Sequence, residues 1–452
     1  MIFTKASKPF PRYLNRAAVQ SINNSTCAQS HRQQHASREP VGAFVAPFQI
    51  QVQHSSSRPT GHCQAPSRTA DWPTALIAAA SNLFPSMTIA TLGIALPDLL
   101  ESLSLSKVAA GGLFSATFIV ATISSAAAGR LADQWGRKYV LVSGLGLLAL
   151  GFAAAGVSSS SLAIFFSLAL TGLGYGFIPP SLYALMSDLL PQTRGLGASV
   201  VSVFYGSGGA VGALLASRVL SALGWRSAFI TMAAIAAAHM ALQCYWLWNL
   251  RAKSDRRHAA ALKDTLSVAL LILALCDFLG GFVFWSSAAW MPSLLRGVKA
   301  LTIHETGWVM GSWSLSYMIG SLSLGYLSDR VGRKRVILLS AFPAALAAWV
   351  SFYALQTPVA LALGVFVFGM FIAPAPSLII ALAQETTAAG SAGTAGGIIL
   401  AAHYIAAIIA PIVTARLITA TGETILAMVL VSTIPLLLLA CLIATVRSSA
   451  ER

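Results

Sequence analysis

Gly129-Arg130-Leu131-Ala132-Asp133-Gln134-Trp135-Gly136-Arg137-Lys138 returns 196 positions later as Gly325-Tyr326-Leu327-Ser328-Asp329-Arg330-Val331-Gly332-Arg333-Lys334. Each stretch closes one long apolar run and precedes another. A short charged turn recurring at one place in two halves of an apolar chain marks an internal duplication. Other patterns keep the register. Pro180-Ser181-Leu182 matches Pro376-Ser377-Leu378 at the same offset of 196, and Leu96-Pro97 echoes Met291-Pro292 at 195. Arg218 stands six residues before Gly224, as Arg416 stands six before Gly422.

The runs around these turns set the fold class. With 56% apolar and only 10% charged residues, the chain is far from the quarter charged that soluble domains carry. A hydrocarbon layer about 30 Å thick needs roughly 20 apolar residues per helix. Twelve runs meet that need: 74–97, 107–129, 139–157, 162–188, 195–222, 227–249, 265–292, 303–328, 335–355, 358–384, 391–420 and 423–446. The expected fold is an all-α integral membrane protein of twelve transmembrane helices in two pseudo-symmetric six-helix bundles. Its expected parts are a basic tail over 1–72, a bundle over 73–250, a linker over 251–264, a second bundle over 265–446 and a short tail over 447–452. The tail over 1–72 has no continuous apolar core of a secretory signal; it reads as a disordered cytoplasmic segment or an over-extended start.

A net charge of +15 invites nucleic acid, but its placement favours topology instead. If the first run enters from the cytoplasm, fifteen basic residues after Pro73 fall inside and six fall outside. That asymmetry obeys the positive-inside rule and puts both termini in the cytoplasm of a cell (inner or plasma) membrane. Cys27, Cys63, Cys244, Cys276 and Cys441 show neither paired spacing nor a metal pattern and read as packing residues. Gly144-x-Gly146-x-x-Ala149 lies within an apolar run with no strand before it, so it carries no nucleotide. No phosphate-binding loop and no nucleophile–base or metal set is visible. The chain is therefore not expected to be an enzyme, to carry a cofactor or to use ATP.

The Gly-x-Leu-Ala-Asp-x-x-Gly-Arg-Lys loop, Asp188-x-x-Pro191-x-x-Arg194-Gly195 and Gly224-Trp225-Arg226 resemble the major facilitator superfamily over about residues 74–446. The resemblance implies secondary transport by alternating access, with the solute between the halves. It implies a gating motif at Gly129, Asp133, Gly136, Arg137, Lys138 and at Gly325, Asp329, Gly332, Arg333, Lys334. Gly129 and Gly325 would admit a close neighbouring helix. Gly136 and Gly332 would allow the turn. Asp133 and Asp329 would face a helix N-terminus of the opposite half, with Arg137 and Arg333 bridging the same latch. Asp188 and Glu385, at the inner ends of their runs, suit gate or cap duty. Basic residues that merely fix topology are the simpler alternative. Two features of drug/proton antiporters are missing: an Arg where Leu168 stands four before Gly172, and a Gly-Pro pair where the chain has Gly208-x-x-x-Gly212-Ala213. Symport is therefore expected, with drug or metabolite efflux by antiport, or a solute sensor, as alternatives.

Away from the helix ends the membrane domain carries one carboxylate, Asp277, about 12 residues into its run and so roughly 18 Å deep. A charge there costs about 2.5–3.5 kcal/mol on insertion scales, so a functional duty is the default reading. Asp277 is expected to couple protons or cations, or to bind a cationic solute; a neutral acid held by hydrogen bonds is the alternative. The offset of 195 places Asn82 opposite it. His403 is a second coupling candidate, since imidazole titrates in the working range, and His239 a weaker one. Tyr175, Tyr183, Phe282 and Trp285 are expected among the cavity aromatics, with Gly280-Gly281 loosening the helix beside them. Arg218 and Arg416 read as snorkelling cations, or as a symmetric pair drawing an anion outward. The expected partners are a small-molecule solute, protons and the bilayer, with no nucleic acid and the carrier acting as a monomer.

Overall fold

A computed structural model describes residues 71–190, 194–247, 267–386 and 392–446. The described residues form twelve membrane-length helical segments. They are Trp72–Ser102, Lys107–Trp135, Arg137–Gly156, Ser161–Leu189, the pair within Arg194–Leu247, Val268–Gly297, Ile303–Val331, Arg333–Tyr353, Pro358–Thr386, Ala392–Thr421 and Thr424–Thr445. Length and hydropathy alone pick out ten of them as candidates. The fifth and sixth spans run together there, and Gly224 at φ 80° divides them. The eighth, Ile303–Val331, is missed because serine and glycine dilute its apolar content.

Several boundaries move. The first helix starts at Trp72, inside the expected tail, because Asp71 accepts from Thr74 N at 3.2 Å and Pro73 fills the first turn. The second span runs to Trp135 and the eighth to Val331, so most of each basic decapeptide is helix. Only Gly136 (φ 103°) and Gly332 (φ 95°) break the chain, in a backbone region closed to other residues. The linker 251–264 and the tail 447–452 lie outside the described residues.

Prolines break the lining helices at defined points. Pro85 offers no N–H to the carbonyl four residues back, and the chain tightens into a 3₁₀ turn over Ala80–Asn82. Pro374 likewise splits the tenth span into Pro358–Ile372 and Pro374–Thr386, and Ser321 Oγ bonds the Ala373 carbonyl there at 3.3 Å. Beyond the seventh span, burial pulls the Lys299 ammonium below its usual range, and its Nζ donates to the Leu355 carbonyl at 2.9 Å.

Toward the end away from the basic turns, the backbones of the two halves approach closely. A Cβ on Gly93 would lie 2.6 Å from the Ala288 carbonyl oxygen, and one on Gly111 would lie 2.7 Å from that of Pro411. Ser115 donates to the Ile408 carbonyl at 2.5 Å, Ser221 meets His304 Nε2 at 3.1 Å, and Arg296 pairs with Asp98. These contacts join the first span to the seventh, the second to the eleventh and the fifth to the eighth. They run from mid-depth to the end away from the basic turns. At the basic-turn end, Cβ atoms on Gly129, Gly325 and Gly397 would meet nothing within 4 Å among the described residues. Among the described residues, the molecule is closed at one end and open at the other.

Candidate functional site

Asp277 is 1% exposed, and His403 Nδ1 stands 3.3 Å from its Oδ2. The ring is not aligned for a hydrogen bond. Both carboxylate oxygens and Nδ1 are buried without a hydrogen-bond partner among the described residues. Such groups are rare because each forfeits its solvation, so they mark a place where a proton or a ligand belongs. Gly281, one turn after Asp277, makes room for the imidazole, since a Cβ there would lie 2.9 Å from Nδ1. The seventh span stays helical through the Gly280-Gly281 pair, over Val268–Gly297. Sequence reasoning named Asp277 and His403 separately; 126 positions apart in the chain, they meet in the fold.

Asn82 takes another path. Its Nδ2 donates to the Val201 carbonyl at 3.0 Å, tying the 3₁₀ turn of the first span to the fifth. His239 also serves its own half: its Nε2 lies 3.1 Å from Ser81 Oγ and 3.0 Å from Gln243 Nε2.

A cavity of about 450 Å³, counting its open mouth, lies between the first, fifth, seventh and eighth spans. Its walls include Ser86, Tyr205, Phe284, Trp313, Ser314 and Tyr317, with no Arg or Lys among the lining residues. Phe284 stacks on Trp313 with centroids 5.1 Å apart and tilts against Tyr317 at 5.3 Å. Of the expected cavity aromatics, Tyr175, Tyr183, Phe282 and Trp285, none lines this space. One helical step of about 100° turns Trp285 away, toward Phe118 at 4.2 Å, and leaves Phe284 in the wall. Phe282 packs on Phe278, and Tyr175 sets its edge against Phe118. Tyr183 is 41% exposed. The eighth-span residues that do line it, Met310, Trp313, Ser314 and Tyr317, follow helical spacing, a signal hidden by that span's low apolar content.

The basic turns hold their own halves together. Arg137 reaches the Asp188 carboxylate at 2.7 Å and the Ala184 carbonyl at 2.6 Å. Arg333 Nε meets Glu385 at 2.9 Å. A carboxylate at a helix C-terminus opposes the dipole, and each arginine offsets that conflict. Lys138 Nζ donates to the Leu247 carbonyl at 3.3 Å, at the end of the sixth span. Among the described residues, these arginines pair within their own halves. Among the described residues, no neighbour comes within 4 Å of a Cβ built on Gly129 or Gly325. Asp329 is exposed, and the side chain of Asp133 lies outside the described residues.

Known proteins agree with this architecture. Solved structures similar in fold include the nucleoside transporter NupG, with a TM-score of 0.70 at 15% identity, covering 84% of this chain and 100% of that one. A bacterial homologue of the human lysosomal transporter Spinster, inward-facing and occupied, aligns with a TM-score of 0.69 at 14% identity over 82% of this chain and 95% of its own. Among curated sequences, a gallate transporter of Pseudomonas putida is 27% identical over 57% of this chain and 66% of its own length. The 3-(3-hydroxy-phenyl)propionate transporter of Escherichia coli (strain K12) is 26% identical over 74% and 84%. The 4-hydroxybenzoate transporter PcaK of Pseudomonas aeruginosa is 25% identical over 66% and 75%. The Major Facilitator Superfamily model matches residues 78–302 and 270–452, so this twelve-helix chain belongs to the major facilitator superfamily of membrane transporters.

Proposed function

We propose that the protein imports an aromatic carboxylate together with a proton, through a membrane in which the basic turns face the cytoplasm. The observation that carries this reading is the buried Asp277–His403 pair, unsatisfied by hydrogen bonds, in a molecule whose aromatic cavity is lined by no Arg or Lys. A carboxylate solute entering such a site brings a negative charge that no resident cation of the wall offsets. A proton taken up with it supplies the balance. Three relatives named for carriage of gallate, 3-(3-hydroxy-phenyl)propionate and 4-hydroxybenzoate support the solute class.

The cycle follows from charge. With the outer end open, the pair takes a proton from the acid side, and the solute ring settles against Phe284, Trp313 and Tyr317. Solute alone would raise the charge of the site from −1 to −2 and the proton returns it to −1, so closure around both costs less desolvation than closure around the solute alone. With the basic-turn end open, as here, the solute leaves and the proton follows to the cytoplasm.

Proteoliposomes loaded at neutral pH test this. An acid exterior should drive accumulation of labelled 4-hydroxybenzoate, and a protonophore should abolish it. Accumulation driven instead by an acid lumen would make the protein an antiporter and overturn the assignment.

A further inference from the structure

At the closed end, the seam between the fifth and eighth spans ends in a polar cleft. It is lined by Leu214, Ser217, Arg218, His304 and Trp308 and measures about 560 Å³ counting its open mouth. Its walls come from opposite halves. The seam beneath is tight: Ser217 packs directly on Gly307, and Ser221 Oγ lies 3.1 Å from His304 Nε2. The Ser221 hydroxyl already donates to the Arg218 carbonyl at 2.9 Å, so His304 Nε2 is the donor between them. The Arg218 guanidinium is exposed and has no ion pair among the described residues. Glu305, the nearest carboxylate in sequence, is committed to Thr302 N and Oγ1 at 2.8 Å each. A permanent cation at a cavity mouth, with no acid facing it, is unfinished electrostatics.

Depth and surroundings point to the occupant. Arg218 stands six residues before the Gly224 break and Trp308 five after the start of its span, so both lie roughly 8–9 Å inside the helix ends. That is where arginine and tryptophan meet lipid headgroups. Two turns deeper on the same helix faces, Val211 is 50% exposed and Leu315 40% exposed. A cationic, hydrogen-bonding head thus caps an apolar track about 10 Å long at seven residues per side.

We propose that this cleft binds the phosphodiester of a bilayer lipid, Arg218 pairing with the phosphate and an acyl chain lying along Val211 and Leu315. Both walls are needed, so the lipid binds when this end is closed. It therefore favours the conformation with the basic-turn end open and acts as a composition-dependent brake on reopening.

Native mass spectrometry of protein released from phosphatidylglycerol vesicles tests the site. Wild type should retain one tightly held lipid, R218Q should hold it about fivefold less, the worth of one interfacial cation, and R416Q should match wild type. Equal retention by wild type and R218Q would overturn the proposal. Inorganic phosphate is the second probe, with Trp308 emission in detergent as the readout. A response that Arg218 requires, with no lipid retained, would make this a free-anion site and reject the lipid. For the brake, spin labels at Leu223→Cys and Val298→Cys in a cysteine-free background report the closed end. Phosphatidylglycerol should raise the short-distance population over phosphatidylcholine in wild type but not in R218Q; no difference would remove the conformational role.

Discussion

The two halves share a backbone and divide the chemistry. Both turn at a positive-φ glycine, Gly136 and Gly332, and both follow it with an arginine paired to a carboxylate closing the next span. Inside the bundles they part. The first half sets half-buried His239 against buried Ser81 and Gln243 in a mutually bonded set with no carboxylate. The second buries Asp277 against His403 with neither satisfied. Scaffold needs are met twice because both bundles must fold and rock. A proton needs one address only, and a second buried charge would add several kcal/mol of desolvation for no gain.

The comparison breaks most directly at Asp277. D277N should abolish gradient-driven accumulation in proteoliposomes, a loss of at least about tenfold, while counterflow exchange of solute survives. Accumulation at the wild-type level would remove the second half's special status. At the seam, G93A forces a methyl against the Ala288 carbonyl, an overpacking cost of about 1–3 kcal/mol. It should move the population toward opening at the end away from the basic turns, read as a larger long-distance fraction between spin labels at Leu223→Cys and Val298→Cys; unchanged distances would mean the seam gives way freely. R296Q removes the partner of Asp98, a pair partly exposed on both sides and worth about 1 kcal/mol or less. It should shift the same population by about fivefold at most, without altering the pH profile of uptake. The smallest effect sharpens the contrast. H239Q should leave uptake and its pH dependence within about twofold of wild type, because another amide can bond Ser81 and Gln243, while H403Q should flatten the pH profile. Equal pH effects in the two variants would erase the asymmetry between the halves.

The sequence announced the bundle because the bilayer permits little else: apolar runs of membrane length, basic turns at one end and glycines where the chain must reverse. Pro85 and Pro374 mark their own breaks by the donors they lack. The site was only half legible. Asp277 stood out because an intramembrane carboxylate is costly, but nothing local says that it faces His403. That contact depends on how two helices rotate against each other, and Gly281 is the only nearby hint. Rotation also misled the choice of wall aromatics, where Phe284 and not Trp285 borders the space. The pairing of Arg137 with Asp188, rather than with the other half, belongs to one conformation, and a sequence encodes the whole cycle at once.

Toward the closed end, few projections interlock where the two bundles touch. Bare backbone at Gly93, Gly111 and Gly307 meets carbonyls and a hydroxyl, so at these crossings the surfaces can part without unthreading a bulky group, and only deeper in do rings such as Phe118 and Trp285 meet across the halves. A joint of that kind has little to lift clear as it swings, and its travel is governed by a handful of polar clasps. It also tolerates no added bulk. A single extra methyl becomes grit in the bearing, which makes these positions sensitive places to slow the machine without touching its cargo.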